Sequence, residues 1–365
     1  EDVLYIHLLL LLLLAVLQPV QHTDAQIFLN QFSPLLRRGF DDILATGQLP
    51  SPTVEVTGGT VRGVALSNGV FQFTGIPFAK PPTRENDLRW RAPVPHDSWN
   101  GTIELTDWKP ICAQFTMGKT EGEEDCLYLN VWTTQTPNSS RVMDEDNPDG
   151  SPAEARANIT EAIASEVKLK PVMVWIHGGG FQEGSTQSYN GSNLMEQLDG
   201  SIVYVSTPYR LGPFGFLGSE ALRSRTVGEF GGTTGNYGLL DQRFALEWVK
   251  TNIAQFGGDP DKVTIFGQSA GGGSVSSHMS MPGSRGLYHR AIIESSSFTP
   301  NVAKTLLSAE GVFKNYTAVL GCPSEGDAAV FCLNRHSTFA LCEAVADLPE
   351  CCDFTNIFIP WAPVV

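Results

Sequence analysis

Residues Val263-Thr264-Ile265-Phe266 form an apolar run of strand length that enters Gly267-Gln268-Ser269-Ala270-Gly271 and continues into small residues able to begin a helix. A strand that must stop, turn within a few residues and become a helix points to layers of helices packed on a sheet. The glycines have a steric reason. A serine held on so tight a turn takes a strained backbone conformation with its hydroxyl projecting, and side chains at the flanking positions would meet neighbouring backbone. The helix start behind Ser269 also directs backbone N–H groups toward any negative charge that develops at the hydroxyl. The spacing therefore predicts a nucleophilic serine. Glycine–serine turns are common, so the reading needs a second element.

That element lies about ninety residues upstream, where the apolar run Val172 to Ile176 leads into His177-Gly178-Gly179-Gly180-Phe181. Glycines here allow positive φ or close strand–helix packing. They also leave N–H groups uncovered by side chains, as a site for a tetrahedral oxyanion requires. Two such motifs, both at the ends of strand-like runs and in this order, fit a serine hydrolase.

The rest of the chain supports an α/β fold with a mostly parallel central sheet and helices on both faces. Leu127 to Trp132 and Ile202 to Val205 are further runs of buried-strand type, and Gly238 to Asn252 repeats apolar residues at helical spacing. Strand, helix, strand in succession implies parallel pairing. Val54 to Thr57, Gly58-Gly59 and Thr60 to Val64 predict a β-hairpin turning on the two glycines. Residues 26–52 show no period and read as a leader to one domain over 53–365. The stretch 133–168, with its prolines, Asp144-Glu145-Asp146 and Ala/Glu-rich tail, reads as a surface insertion. With 24 Lys+Arg against 39 Asp+Glu, the formal charge of −15 disfavours a nucleic-acid partner.

Leu8 to Leu14 are consecutive leucines in a fourteen-residue apolar stretch that contains His7 and is followed by Thr23-Asp24-Ala25. This is the form of a secretory signal over 1–25, and it is shorter than the ~20 residues of a membrane helix. The chain begins without Met, so it reads as clipped upstream. Sequons at Asn100, Asn138, Asn158, Asn190 and Asn315 suit a secreted or extracellular glycoprotein. The seven cysteines show no metal-ligand spacing and are expected to form disulfides, with an odd thiol left over.

The chain resembles the type-B carboxylesterases, the α/β-hydrolase family that includes the cholinesterases. The resemblance covers residues 53–365 and rests on six blocks in one order: Gly75-Ile76-Pro77-Phe78-Ala79, Glu124-Asp125-Cys126-Leu127, Trp175 to Phe181, Tyr209-Arg210-Leu211-Gly212, Gly235-Asn236-Tyr237-Gly238 through Asp241-Gln242, and Phe256-Gly257-Gly258-Asp259-Pro260. It implies that Ser269 is the nucleophile and that the N–H groups of Gly179, Gly180 and Ala270 form the oxyanion hole. It also implies disulfides Cys112 with Cys126 and Cys322 with Cys332, and buried ion pairs Arg89 with Glu124 and Arg210 with Asp241. No pairing follows for Cys342, Cys351 and Cys352. No metal or other cofactor is implied, and the partner is a small-molecule or lipid ester.

Departures from the family bear on substrate. The cholinesterases hold the choline cation on a tryptophan inside the first disulfide loop, and residues 113–125 contain none. Gln268 stands where the cholinesterases carry an acid. Pro208 replaces an Asn before Tyr209-Arg210, and Ser296 replaces a Gly. These changes favour a general carboxylesterase over a cholinesterase. Among the histidines that follow Ser269, His278 shares its helix and faces away, while His289 and His336 read as surface or packing residues. The resemblance places the acid and the histidine of the triad beyond Val365, so the C-terminal part of the fold is expected to be missing and residues 26–365 alone to be inactive. The alternative is a non-catalytic adhesion or scaffold protein, since the same family includes neuroligin-like members. Those lose the nucleophile that this chain keeps.

Overall fold

The computed structural model describes residues 51–135, 168–226, 228–296, 303–348 and 361–365. Its organising feature is alternation along three parallel strands, β9 (Lys170–Ile176), β10 (Val203–Thr207) and β11 (Gly258–Gln268). Val172, Val174, Ile176, Val203, Val205, Val263 and Ile265 point into one core, while Trp175 and Tyr204 belong to a second core with Met173 and Phe266 packed against it. A period of two with both phases apolar means that both faces of the sheet are covered. Helix α1 (Gly191–Gln197) places Met195 in the second core. The helices α4 (Tyr237–Asn252) and α5 (Ala270–Ser280) serve the first, through Leu246, Val249 and Val275. The short helices α2 (Gly212–Phe216) and α3 (Glu220–Arg223) lie between β10 and α4 in the chain.

The seven-stranded sheet is completed by β12 (Arg290–Glu294), parallel to β11 at one edge, and by β8 (Tyr128–Thr133), β4 (Phe71–Pro77) and β3 (Val64–Ala65) beyond β10. These last three pair antiparallel in turn, so β8 departs from the parallel pairing expected for the apolar runs. Five of the seven strands still point the same way. The hairpin of β1 (Thr53–Val56) and β2 (Gly59–Arg62) forms as expected, but it turns on Thr57-Gly58, because Gly59 already pairs with Val56. Separate small sheets hold β5 (Thr102–Glu104) against β2, and β6 (Gln114–Thr116) against β7 (Lys119–Glu121).

Most of the expected insertion lies outside the described residues, but its first residue, Thr133, belongs to β8. Thr133 is fully buried and donates its hydroxyl to the Phe256 carbonyl at 2.8 Å. The leader and signal expectations, with Asn138, Asn158, Cys351 and Cys352, also lie outside the described residues. Of the other sequons, Asn100 and Asn190 are exposed. Asn315 instead sits inside α6 (Leu306–Val319), beside the buried Tyr316 and Thr317, rather than on the surface loop that an acceptor triplet implies. Among the described residues no helix is long and apolar enough to cross a membrane.

Cys112 is bonded to Cys126, and Cys322, just after α6, to Cys332 of α7 (Gly326–Arg335), while Cys342 of α8 (Thr338–Glu343) is a buried free thiol. Both buried ion pairs are two-pronged. Arg89 reaches both carboxylate oxygens of Glu124, and Arg210 those of Asp241 at 2.8 and 2.7 Å. The Asp241 carboxylate also accepts the Arg210 backbone N–H at 3.0 Å, and the guanidinium caps the Arg91 carbonyl at 2.9 Å. Removing one partner of such a pair leaves the other charge buried and uncompensated. Asp241→Ala is therefore expected to cost about 3–5 kcal/mol in urea denaturation; a loss under about 1 kcal/mol, the scale of an exposed pair, would contradict this account of the pair.

Candidate active site

Strand β11 ends at Gln268 and α5 begins at Ala270, so one residue makes the whole turn. Ser269 adopts φ 56° and ψ −122°, outside the regions open to most side chains. Two backbone hydrogen bonds hold it there. Its N–H donates to the Glu294 carbonyl of β12, and its carbonyl accepts from Gly273, each at 2.9 Å. The side chain makes no capping bond to the helix and is half-buried.

Each flanking glycine fills a place where a methyl group would strike backbone. A Cβ on Gly271 would lie 2.1 Å from the Ile176 carbonyl oxygen, and one on Gly267 would lie 2.6 Å from the Gly271 carbonyl carbon. Gly178 closes the arrangement from the other strand: its Cβ would stand 2.7 Å from the Gln268 carbonyl oxygen and 3.2 Å from the Ser269 Cβ. The upstream glycine run is therefore in direct contact with the serine turn. Parallel pairing of β9 with β11 carries both strand ends to the same edge of the sheet.

The direction of the N–H groups follows from peptide planarity, because a trans peptide points its C=O and the next N–H opposite ways. The Gly178 carbonyl lies 2.8 Å from His177 Nδ1, and the Gly179 carbonyl accepts from Gln182 and Glu183, each at 3.0 Å. Both carbonyls are turned into the loop, which turns the N–H groups of Gly179 and Gly180 outward. Gly179, Gly180 and Phe181 take positive φ of 109°, 61° and 58°, and Phe181 anchors the turn by burying its ring 4.9 Å from that of Phe216. Ala270 is the first helical residue, so its N–H has no partner within the helix.

His177 is fully buried, stacked on Tyr209 with ring centroids 4.4 Å apart, and its own carbonyl accepts the Tyr209 hydroxyl at 2.8 Å. Burial lowers its pKa to about 4, so the ring is neutral, and its contact with the Gly178 carbonyl requires the proton on Nδ1. His278 is likewise buried and lowered to about 4, first by burial and then by Arg243. Its ring nitrogens face Ser284 Oγ at 2.9 Å and Gln242 Oε1 at 3.1 Å, and Gln242 donates on to Ser274 at 3.0 Å. His289 is exposed, and its Nδ1 accepts from the Val263 N–H. His336 lies 3.6 Å from Cys322 Sγ. Among the described residues no hydrogen bond joins the Ser269 hydroxyl to a histidine. Tyr209, bonded to the His177 carbonyl, and Gln242, bonded to Ser274 and His278, carry no sequence signal for these contacts. Each lies inside a recognisable block, but neither follows a spacing rule that marks such a role.

Gln268 lies beside Gly178, and Ser296 beside Gly272, where a Cβ would stand 2.9 Å from that of Ser296. Pro208 lines a small cleft with Lys109, Tyr128, His177 and Thr186, whose lining does not include Ser269.

The model of the family described as "Carboxylesterase family" matches residues 50–365. The chain belongs to the carboxylesterase family. It is 38% identical over 264 residues to a para-nitrobenzyl esterase of Bacillus subtilis, covering 70% of this chain and 46% of that protein. It is also 38% identical over 276 residues to an acetylcholinesterase of Leptinotarsa decemlineata, covering 70% of this chain and 40% of the relative. Among solved structures, a Geobacillus stearothermophilus carboxylesterase superposes with a TM-score of 0.66 at 33% identity, over 86% of this chain and 55% of that one. The chain thus spans about half the length of these carboxylesterases, and over that span it has the α/β-hydrolase fold.

The two buried histidines give this carboxylesterase-family chain a predictable acid sensitivity. Each has a folded pKa of about 4 against an ordinary 6.5, so between those values the unfolded chain binds more protons. Stability from these groups is full above about pH 6.5 and is lost as pH falls toward 4. His278→Gln should flatten the fall in the urea midpoint between pH 7 and 5. An unchanged slope would show that His278 is not held neutral.

Proposed function

We propose that the chain carries the nucleophile and oxyanion hole of a serine carboxylic-ester hydrolase, a general carboxylesterase of the secretory pathway that acts on uncharged small-molecule or lipid esters. The observation that carries this reading is the contact of Gly178 with the Ser269 turn. It supports the reading by bringing the start of the glycine run against the strained serine turn.

In this mechanism Ser269 Oγ attacks the ester carbonyl carbon, and the carbonyl oxygen becomes an oxyanion received by the N–H groups of Gly179, Gly180 and Ala270. Collapse expels the alcohol and leaves an acyl group on Ser269. Water then attacks the acyl-enzyme through a second oxyanion at the same donors and releases the carboxylic acid. The hydroxyl proton must pass to a base and then to the leaving alcohol. None of His177, His278, His289 and His336 is placed for this, since each ring is engaged elsewhere. The acid and the histidine are taken to follow Ser269 in the chain order usual for the fold.

Names among the relatives support ester chemistry with varied substrates: para-nitrobenzyl esterase, acetylcholinesterase, cocaine esterase and juvenile hormone esterase. Against choline specificity stand the tryptophan-free loop 113–125 and the uncharged Gln268 beside the nucleophile. The two disulfides and the leucine-rich start of the chain support the secretory route.

Full-length protein treated with a fluorophosphonate is expected to be labelled once, with the label lost in Ser269→Ala, and to hydrolyse choline esters no better than neutral esters of similar size. Label retained in Ser269→Ala would remove the serine from its role. A strong preference for the cationic ester would overturn the substrate class.

A further inference from the structure

The disulfide loop Cys112–Cys126 is more than a brace, because it delivers a buried amide to the back of the glycine turn. Gln114, the first residue of β6, is 4% exposed. Its Oε1 accepts the Gly184 N–H at 2.9 Å, while its Nε2 donates to the Gly184 carbonyl at 3.1 Å and to the Cys112 carbonyl at 2.9 Å. A primary amide that grips both backbone groups of one residue imitates a rung of β-sheet, and three of its four hydrogen-bonding positions are used.

Gly184 in turn lies against the start of the oxyanion loop. It has φ 113°, and a Cβ there would stand 2.6 Å from the Gly178 carbonyl oxygen and 2.7 Å from His177 Nδ1, the two atoms whose contact turns the Gly179 N–H outward. The preceding residue backs the next peptide: the Glu183 carbonyl oxygen lies 2.0 Å from where a Cβ on Gly179 would be, and the Glu183 carboxylate accepts the hydroxyl of Thr116 on the same hairpin. The hairpin itself is fixed at its neck by the disulfide and by the Ala113 N–H to Glu123 carbonyl and Glu123 N–H to Ile111 carbonyl bonds, each at 2.9 Å.

We propose that Gln114 is a positioning residue for the oxyanion hole. Through Gly184 it holds the peptide planes that aim the N–H groups of Gly179 and Gly180 at the transition state. The inference rests on the hydrolytic reading given above. It touches no substrate, so its loss should weaken transition-state binding and leave ground-state binding alone.

The test uses full-length protein with Gln114→Met, which keeps the volume and removes all three bonds, and Gln114→Glu, which keeps an acceptor for the Gly184 N–H. Thr120→Ala serves as the control, since Thr120 lies on the same hairpin and binds Glu343 of α8 instead. For Gln114→Met, kcat per active site should fall on the order of tenfold to a hundredfold, less than the loss of a whole oxyanion donor. KM should stay within about twofold, and affinity for a trifluoromethyl ketone should fall in step with kcat/KM. Gln114→Glu should fall less, and Thr120→Ala not at all. Unchanged kcat in both Gln114 variants would overturn the proposal, as would equal losses in Thr120→Ala. Should the parent protein show no Ser269-dependent hydrolysis, the hydrolytic reading falls by itself. Amide hydrogen exchange at Gln182 and Glu183, whose N–H groups hold the Gly179 carbonyl, then decides the positioning role, with faster exchange in Gln114→Met expected and an unchanged rate contradicting it.

Discussion

Backbone of β9 touches backbone of the serine turn with no side chain between them, and the rest of the site depends on that approach. The Ile176 carbonyl sits where a side chain on Gly271 would begin, and Gly178 sits against Gln268 and Ser269. At such distances a single methyl group would force one strand end away from the other. Parallel register between β9 and β11 brings the two ends level, and the two-faced alternation of those strands buries the register on both sides. A slip by one residue would exchange the two cores and move Gly178 off the turn.

Strain at Ser269 is of order 1–3 kcal/mol for a non-glycine residue at such φ and ψ. Its two backbone bonds, to β12 and to the first turn of α5, persist only if the sheet and the helix are both in place. Orientation of the proposed donors is fixed in a similar way, by carbonyls held inward so that the partner N–H groups of the same peptides face out. The proposed site is thus a set of fixed dipoles rather than of charges. The two deeply buried ion pairs, Arg89 with Glu124 and Arg210 with Asp241, lie in the scaffold instead.

Much of this was legible before any coordinates. The strand–glycine–serine–helix passage and the glycine run after Val172 to Ile176 are local signals, and local sterics set both. The helix over residues 237–252 and the four buried strands were visible because burial writes itself as periodicity. Pairing direction was not. An apolar run such as Leu127 to Trp132 reads the same whether its neighbour is parallel or antiparallel, and β8 proved antiparallel to β10. The turn of the first hairpin moved by one residue because Gly59 is needed for pairing beside Trp99, whose carbonyl oxygen would stand 2.8 Å from a Cβ there. Gln114 and Gln242 leave no mark in the sequence because a single amide in a hydrogen-bond network has no spacing rule. Their partners, Gly184 and His278, are distant in sequence and meet them only in the fold.

On the proposed reading, the outward N–H groups of Gly179, Gly180 and Ala270 converge on one point beside Ser269 Oγ. The most direct measurement is a crystal structure of the full-length protein with a trifluoromethyl ketone bound covalently to Ser269. The adduct oxygen is expected about 2.7–3.1 Å from all three nitrogens. An adduct oxygen facing solvent, or held by a side chain while Gly179 and Gly180 point elsewhere, would contradict it.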